Sequence, residues 1–111
     1  MMRRIAVVMA IAAGTALVSG GAAARDIQAG KKKATEVCGS CHGVDGMKTQ
    51  APDQPKLAGQ PYDYLVKVLR DYKSGARKDA VMGAMAQPLS LKDIENVSAW
   101  YASQAGLYVR Y

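Results

Sequence analysis

The chain has 111 residues and one histidine, carries a formal net charge of +6 and contains no phenylalanine. This length is typical of one small domain, which normally needs stabilisation beyond its own apolar core. The aromatic content of 6% fits a core that is built in part from a bound group. The basic residues are too few to support nucleic-acid binding.

The first residues have the pattern of an export signal. Arg3 and Arg4 give a charged start, residues 5–18 are uncharged, and residues 22–24 are three alanines suited to cleavage. We expect cleavage after Ala24, which would place the protein in the periplasm.

A membrane anchor is the alternative for this segment. A spanning helix needs ~20 predominantly apolar residues. The uncharged stretch is shorter than that and already contains Gly14 and Thr15. The sequence therefore favours a cleaved signal over residues 1–24 and no stable membrane insertion afterwards, with residues 25–111 forming a single domain.

The first predicted helix of that domain runs from about Ile27 to Cys38. Small and apolar residues, among them Gly30, Ala34 and Val37, recur at helical spacing and share one stripe. The helix leads directly into a short motif that contains both cysteines and the histidine.

That motif is Cys38-Gly39-Ser40-Cys41-His42. Two thiols three positions apart, followed at once by an imidazole, form the attachment signature of a c-type haem. Each thiol can add to one haem vinyl group, and His42 can then bind the iron. The motif predicts one covalently bound haem c and electron chemistry, rather than hydrolysis or group transfer.

Other interpretations of the motif meet specific objections. A structural zinc site needs four protein ligands, whereas Cys38, Cys41 and His42 exhaust the supply of Cys and His. A thioredoxin-like site needs a βαβ context, and no run has the pattern of a strand. A disulfide would close a very short loop and leave His42 without a role.

The second predicted helix runs from Pro61 to Ser74, after a loop rich in Gly and Pro. Pro61 suits the first helical position, and Gly75 suits the C-terminal stop. The apolar face of this helix contains Leu65, Val68, Leu69 and Tyr72.

The third predicted helix runs from Ser90 to about Gln104. Ser90 is a candidate N-cap, and Asp93 completes a capping-box pattern three residues later. One face contains Ile94, Val97, Ser98 and Tyr101, with Trp100 beside it. The predicted fold is therefore all-α, with three main helices and a Met-bearing loop between the second and the third.

The iron ligand opposite His42 cannot be a second histidine of the same chain. Met, Lys, Tyr or water remains, and cytochromes c commonly combine Met with His. Met47 lies too close to His42 to reach the opposite face of the haem. Met82 and Met85, in a Gly/Ala stretch expected to be a flexible loop, both have enough intervening chain.

Together these motifs resemble the small class I bacterial cytochromes c, and most closely one half of the dihaem cytochromes c, over the whole of residues 25–111. The segments that carry the resemblance are Cys38–Gly43, Pro55–Gln60, Tyr64–Leu65, Tyr72–Arg77, Met82, Leu89–Ser90 and Asp93–Ile94. The resemblance implies the class I cytochrome c fold around one haem. The chain has one haem motif where the dihaem members have two, which makes it a single-haem relative.

The resemblance also selects the second iron ligand. In that family the ligand Met lies seven positions before the Leu of the Leu-Ser helix start, which Met82 does relative to Leu89. Met82 is therefore the predicted ligand, with Met85 as the alternative. The carbonyl of Pro55 is implied to accept a hydrogen bond from the His42 ring.

The resemblance further implies that Gly30 lies where the first and last helices cross, against Val97 and Trp100. A missing side chain at this position lets the two helix backbones approach closely.

The predicted function is electron transfer without enzymatic activity, between respiratory redox partners that have acidic or complementary docking surfaces. Lys31–Lys33 are either part of such a docking surface or a solvated helix face, and the second interpretation is favoured. A dedicated haem subunit of a larger oxidoreductase is the alternative function, for which the apolar tail from Leu107 to Tyr111 could be an interface. A ligand-binding or catalytic haem protein would need a displaceable sixth ligand.

Overall fold

The computed structural model describes residues 9–14 and 25–106, and its regular structure there is entirely helical. The elements are α1 (Ile27–Lys33), a π-helical segment (Ala34–Cys38), α2 (Gly39–His42), α3 (Tyr62–Ser74), α4 (Ala80–Ala86) and α5 (Leu91–Ser103). The prediction of an all-α fold is confirmed. Within the described ranges, no helix has the length and apolar character needed to cross a membrane. The predicted cleavage site and the tail from Leu107 lie outside the described residues.

The predicted first helix is present, although it is not a uniform α-helix. Asp26 caps it by accepting a hydrogen bond from the backbone N–H of Ala29 at 2.9 Å. The chain then widens into the π-helical segment before it tightens again in α2. Such π-turns are rare and frequently lie at functional sites. The helical run ends at Gly43, whose φ of +79° favours glycine.

Helix α3 begins one residue later than predicted. Pro61 has an extended ψ of 134° and is the N-cap, so that Tyr62 is the first helical residue. The end of α3 is as predicted, because Gly75 adopts the left-handed conformation with φ of +84°.

The prediction of a flexible Met-bearing loop is wrong, since residues 80–86 form helix α4. Asp79 is its N-cap and accepts hydrogen bonds from the N–H groups of Val81 and Met82 at 3.0 and 2.8 Å. A good N-cap followed by several alanines favours a helix. Gly83 lies inside this helix without interrupting it.

Helix α5 begins as the sequence predicts. The hydroxyl of Ser90 accepts from the Asp93 N–H, and the Asp93 carboxylate accepts from the Ser90 N–H, both at 3.0 Å. This complete capping box fixes the start of the helix. Helix α5 packs against α1 and α3, and the buried cluster between these elements contains Ala34, Leu65, Val97 and Tyr101.

The crossing of α1 and α5 is closest at Gly30. A Cβ atom added there would collide with the backbone carbonyl of Asn96 and lie 3.1 Å from the Cβ of Trp100. Trp100 is therefore at the predicted crossing, while the backbone of Asn96, rather than Val97, makes the closest approach. The Asn96 side chain also accepts a hydrogen bond from the N–H of Asp26 at 3.0 Å.

We expect Gly30→Ala to destabilise the haem-loaded protein by roughly 1–3 kcal/mol, the usual range for overpacking. The added methyl group meets backbone atoms, which cannot move aside by changing rotamer. Urea unfolding followed by circular dichroism measures the loss.

Gly83→Ala is the matched control, since the nearest atom to a Cβ there is the Tyr72 carbonyl oxygen at 4.0 Å. That variant should keep or slightly gain stability, because Ala is a better helix former than Gly. Equal losses in the two variants would contradict the role given to the crossing.

Candidate functional site

The two cysteine thiols of the haem motif are unpaired and half-buried. Cys38 is the last residue of the π-helical segment, and Cys41 lies within α2. The disulfide considered from the sequence is not formed. The described residues also contain no group of three or more His, Cys, Asp or Glu side chains placed to hold a metal ion.

The Cys38 thiol lies in an apolar environment. Burial raises its pKa to about 11, and the hydrogen bond with Tyr101 and the charge of Lys33 only partly oppose this rise. A thiol in such surroundings is protonated at neutral pH, whereas a thiolate is the form that binds metal ions. An uncharged thioether would suit these apolar surroundings.

His42 is buried, with 6% of its surface exposed. Its Nδ1 lies 2.8 Å from the carbonyl oxygen of Pro55. Because a carbonyl can only accept, Nδ1 carries the proton and donates it, which leaves Nε2 with its lone pair available. A histidine that binds a metal commonly has its other nitrogen held in this way.

The loop that presents Pro55 is tied back to the turn after His42. The Gly46 carbonyl accepts hydrogen bonds from the N–H groups of Leu57 and Ala58, at 2.8 and 3.3 Å. Gly46 has a φ of +82°, and a Cβ there would lie 2.5 Å from the Ala58 nitrogen. Close contact between the two parts of the loop therefore requires glycine at this position.

Two aromatic side chains of α5 hold the turn that follows His42. The Tyr101 hydroxyl donates to the Gly43 carbonyl at 3.0 Å, and the Trp100 indole N–H donates to the Val44 carbonyl at 2.6 Å. Sequence reasoning placed both residues on α5 but missed these bonds. The available signal was their chemistry, because buried Tyr and Trp usually find a partner for the polar end of the ring.

The three methionines that follow the motif differ in placement. Met47 lies in the turn after His42, where its N–H donates to the Asp45 carboxylate at 3.0 Å. Met82 is half-buried in α4, and Met85 is 43% exposed one turn later on the same helix.

The residues present fit a covalently attached haem. Two unpaired thiols and a buried imidazole with a free Nε2 come from one helical run, while the half-buried Met82 comes from a separate helix. These are the donor types that c-type haem attachment and axial ligation require.

Comparison with known proteins identifies the class of this haem-binding helical domain. The sequence model of the family described as "Cytochrome c" matches residues 27–104. Cytochrome c-554(548) of Halomonas halodenitrificans is 43% identical over 84 residues, which cover 73% of this chain and 99% of that protein. The chain therefore belongs to the cytochrome c family.

Longer relatives are also similar. Cytochrome c4 of Stutzerimonas stutzeri is 46% identical over 93 residues, which cover 76% of this chain and 43% of that protein. The crystal structure of reduced recombinant cytochrome c4 from Pseudomonas stutzeri superposes with a TM-score of 0.68 at 45% identity, covering 76% of this chain and 48% of that one. The chain thus spans less than half the length of these cytochrome c4 relatives.

These likenesses confirm the class I cytochrome c fold and the resemblance to one half of a dihaem cytochrome. The chain binds one haem c covalently through its Cys38-x-x-Cys41 arrangement.

We expect Tyr101→Phe to lower the free energy of unfolding by about 1 kcal/mol at neutral pH, through loss of the hydrogen bond to the Gly43 carbonyl.

The same variant should lose less stability than the wild type when the pH is raised into the alkaline range. Burial raises the pKa of Tyr101 well above its ordinary value. The neutral phenol therefore stabilises the folded state. This contribution is fully present below a pH of about 10, the pKa of tyrosine in the unfolded chain, and it is lost as the pH rises through the pKa of Tyr101 in the folded protein.

Urea unfolding at neutral pH and at two pH values above the unfolded pKa measures both effects. Tyr62→Phe is the control, because its ring lies beneath Arg25 and Phe retains that contact. An alkaline loss of stability that is the same in the wild type and in Tyr101→Phe would contradict the titration argument.

Proposed function

We propose that the chain is a periplasmic electron carrier whose single haem iron is bound by His42 on one side and Met82 on the other. The observation that carries this proposal is the buried His42 ring, held by the Pro55 carbonyl beside two unpaired thiols. When bound, the haem supplies a one-electron couple between ferric and ferrous iron. With His42 and Met82 both bound to it, the iron would have no position left for a substrate.

Each residue of the motif has a distinct task in this proposal. Cys38 and Cys41 form the two thioether bonds that fix the haem to the chain. The Pro55 carbonyl keeps the proton on Nδ1 of His42, which directs Nε2 towards the iron and increases its basicity. Burial of the His42 ring keeps water away from the bond between imidazole and iron.

Met82 is the better supported thioether ligand, with Met85 as the alternative. Met82 is half-buried while Met85 is 43% exposed, and a ligand must lie on the inner side of its helix. The backbone N–H of Met82 is also bound by the N-cap Asp79 at 2.8 Å. Its main chain is therefore held at the start of α4.

The proposed location depends on the N-terminal segment. We propose that residues 1–24 are removed during export and that residues 25–111 form the haem domain. The unpaired state of both thiols is compatible with export, provided that haem attachment precedes disulfide formation in an oxidising compartment.

The proposed partners are redox proteins with acidic or complementary surfaces. The net charge of the chain remains positive, at +4, when Arg3 and Arg4 are removed with residues 1–24. The lysine triplet has other contacts within the fold. Lys33 lies 4.0 Å from the Asp93 carboxylate, and Lys31 lies 5.4 Å from the centre of the Trp100 ring. These contacts favour the interpretation of the triplet as a solvated helix face.

We expect the absorption spectrum of the oxidised protein to contain the weak long-wavelength sulfur-to-iron band, together with sharp bands on reduction. The protein should be prepared in a host that attaches c-type haem. Met82→Ala should abolish the sulfur-to-iron band and lower the reduction potential, whereas Met85→Ala should retain both.

Three results would contradict this proposal in whole or in part. Wild-type protein without covalent haem would overturn it entirely. A band lost only in Met85→Ala would transfer the ligand role to Met85. Rapid carbon monoxide binding to the ferrous wild type at neutral pH would favour a ligand-binding haem protein.

A further inference from the structure

We propose that Lys73 and Gln87 form a clasp between α3 and α4 that positions Met82 and so resists its displacement from the iron. The inference rests on the proposed ligation by Met82. Lys73 and Gln87 do not act on the haem themselves, and their role is to position the helix that carries the ligand.

The clasp consists of three hydrogen bonds that run in both directions. The Lys73 ammonium donates to the carbonyls of Gln87 and Leu89, at 2.7 and 2.5 Å. The Gln87 side-chain amide donates back to the Lys73 carbonyl at 2.9 Å. These bonds join the last turn of α3 to the C-terminal end of α4 and the start of the next connection.

The Lys73 ammonium lies at the C-terminal end of α4, where a positive charge stabilises a helix. The last carbonyls of a helix lack partners within the helix, and they carry the negative end of its dipole. Gln87 is the C-cap of α4, and hydrogen bonds from a charged donor are stronger than neutral ones. The contact therefore stabilises the C-terminal end of α4 and also fixes that end to α3.

Helix α4 needs such external support because it has only seven residues. A helix of that length is not stable alone in water. At its N-terminus, the Asp79 carboxylate bonds to the N–H groups of Val81 and Met82. Those bonds hold the first turn together, but they do not connect it to α3.

Another lysine of α3 provides a contrast. Lys67 pairs with Asp71 at 2.5 Å, one turn further along the same helix, and its side chain is 75% exposed. This pair does not reach α4. Lys67 therefore matches Lys73 in charge, residue type and parent helix, but it lacks the cross-helix bonds.

Loss of the clasp should increase the fraction of molecules in which α4 has moved and Met82 has left the iron. An external ligand binds only that fraction, so its apparent affinity rises by the same factor as the population. Removing charge-assisted hydrogen bonds of this kind should raise the population roughly three- to tenfold.

The test is imidazole binding to the ferric haem-loaded protein, followed by loss of the sulfur-to-iron band. Lys73→Ala should bind imidazole roughly three- to tenfold more tightly than the wild type, whereas Lys67→Ala should match the wild type. Gln87→Ala should give a smaller increase, because the Lys73 bonds to backbone carbonyls remain. Lys73→Arg should restore most of the wild-type affinity, since its guanidinium can also donate to two carbonyls.

Global unfolding in urea, measured on the same variants, separates ligand positioning from general stability. Tighter imidazole binding in Lys73→Ala than in Lys67→Ala supports the clasp when the two variants unfold at similar urea concentrations. Equal imidazole affinities in these two variants, with the sulfur-to-iron band present in the wild type, overturn the clasp and leave the proposed function intact. Absence of the band from the wild type overturns Met82 ligation, and the clasp with it.

Discussion

The close crossing of α1 and α5 at Gly30 is the constraint on which the haem site depends. With no side chain at Gly30, the backbone carbonyl of Asn96 can approach α1 directly. This contact sets how far α5 lies from the helical run that ends in the haem motif. Trp100 and Tyr101 then reach the turn after His42, where their polar ends bind two successive backbone carbonyls. A wider crossing would withdraw both aromatic side chains from that turn.

The His42 side of the site is consequently held from several directions. The ring lies at the end of α2, its Nδ1 is held by Pro55, and the turn that follows is fixed by α5. The Gly46 carbonyl joins that turn to the segment that follows Pro55. If His42 binds the iron as proposed, an imidazole held by so many contacts would keep its geometry while the charge of the metal changes, which suits the proposed electron carrier.

The side of the site that carries Met82 is built differently. Helix α4 is short, and its polar connection to α3 lies at its C-terminal end, through Lys73. Local stability in proteins is not uniform, and short helices with few supporting contacts open more readily than core elements. The parts of the site that carry the two proposed ligands therefore differ in how firmly the fold holds them, and the difference follows from helix length and connectivity.

The features of this protein that have local causes can be predicted from its amino-acid sequence. The Cys38-x-x-Cys41-His42 spacing defines haem attachment within five residues, and the ends of α3 and α5 follow from Gly75 and from the Ser90–Asp93 capping box. Contacts between residues far apart in sequence emerge only from the packing of the helices. The Tyr101 bond to Gly43 joins residues 58 positions apart, and the Lys73 bond to Leu89 joins residues 16 positions apart. Such contacts depend on the angles and distances at which helices pack, and periodicity within one helix carries no information about them. Helix α4 combines both kinds of cause: Asp79 and the alanines favour a helix locally, whereas a helix of only seven residues also depends on its neighbours.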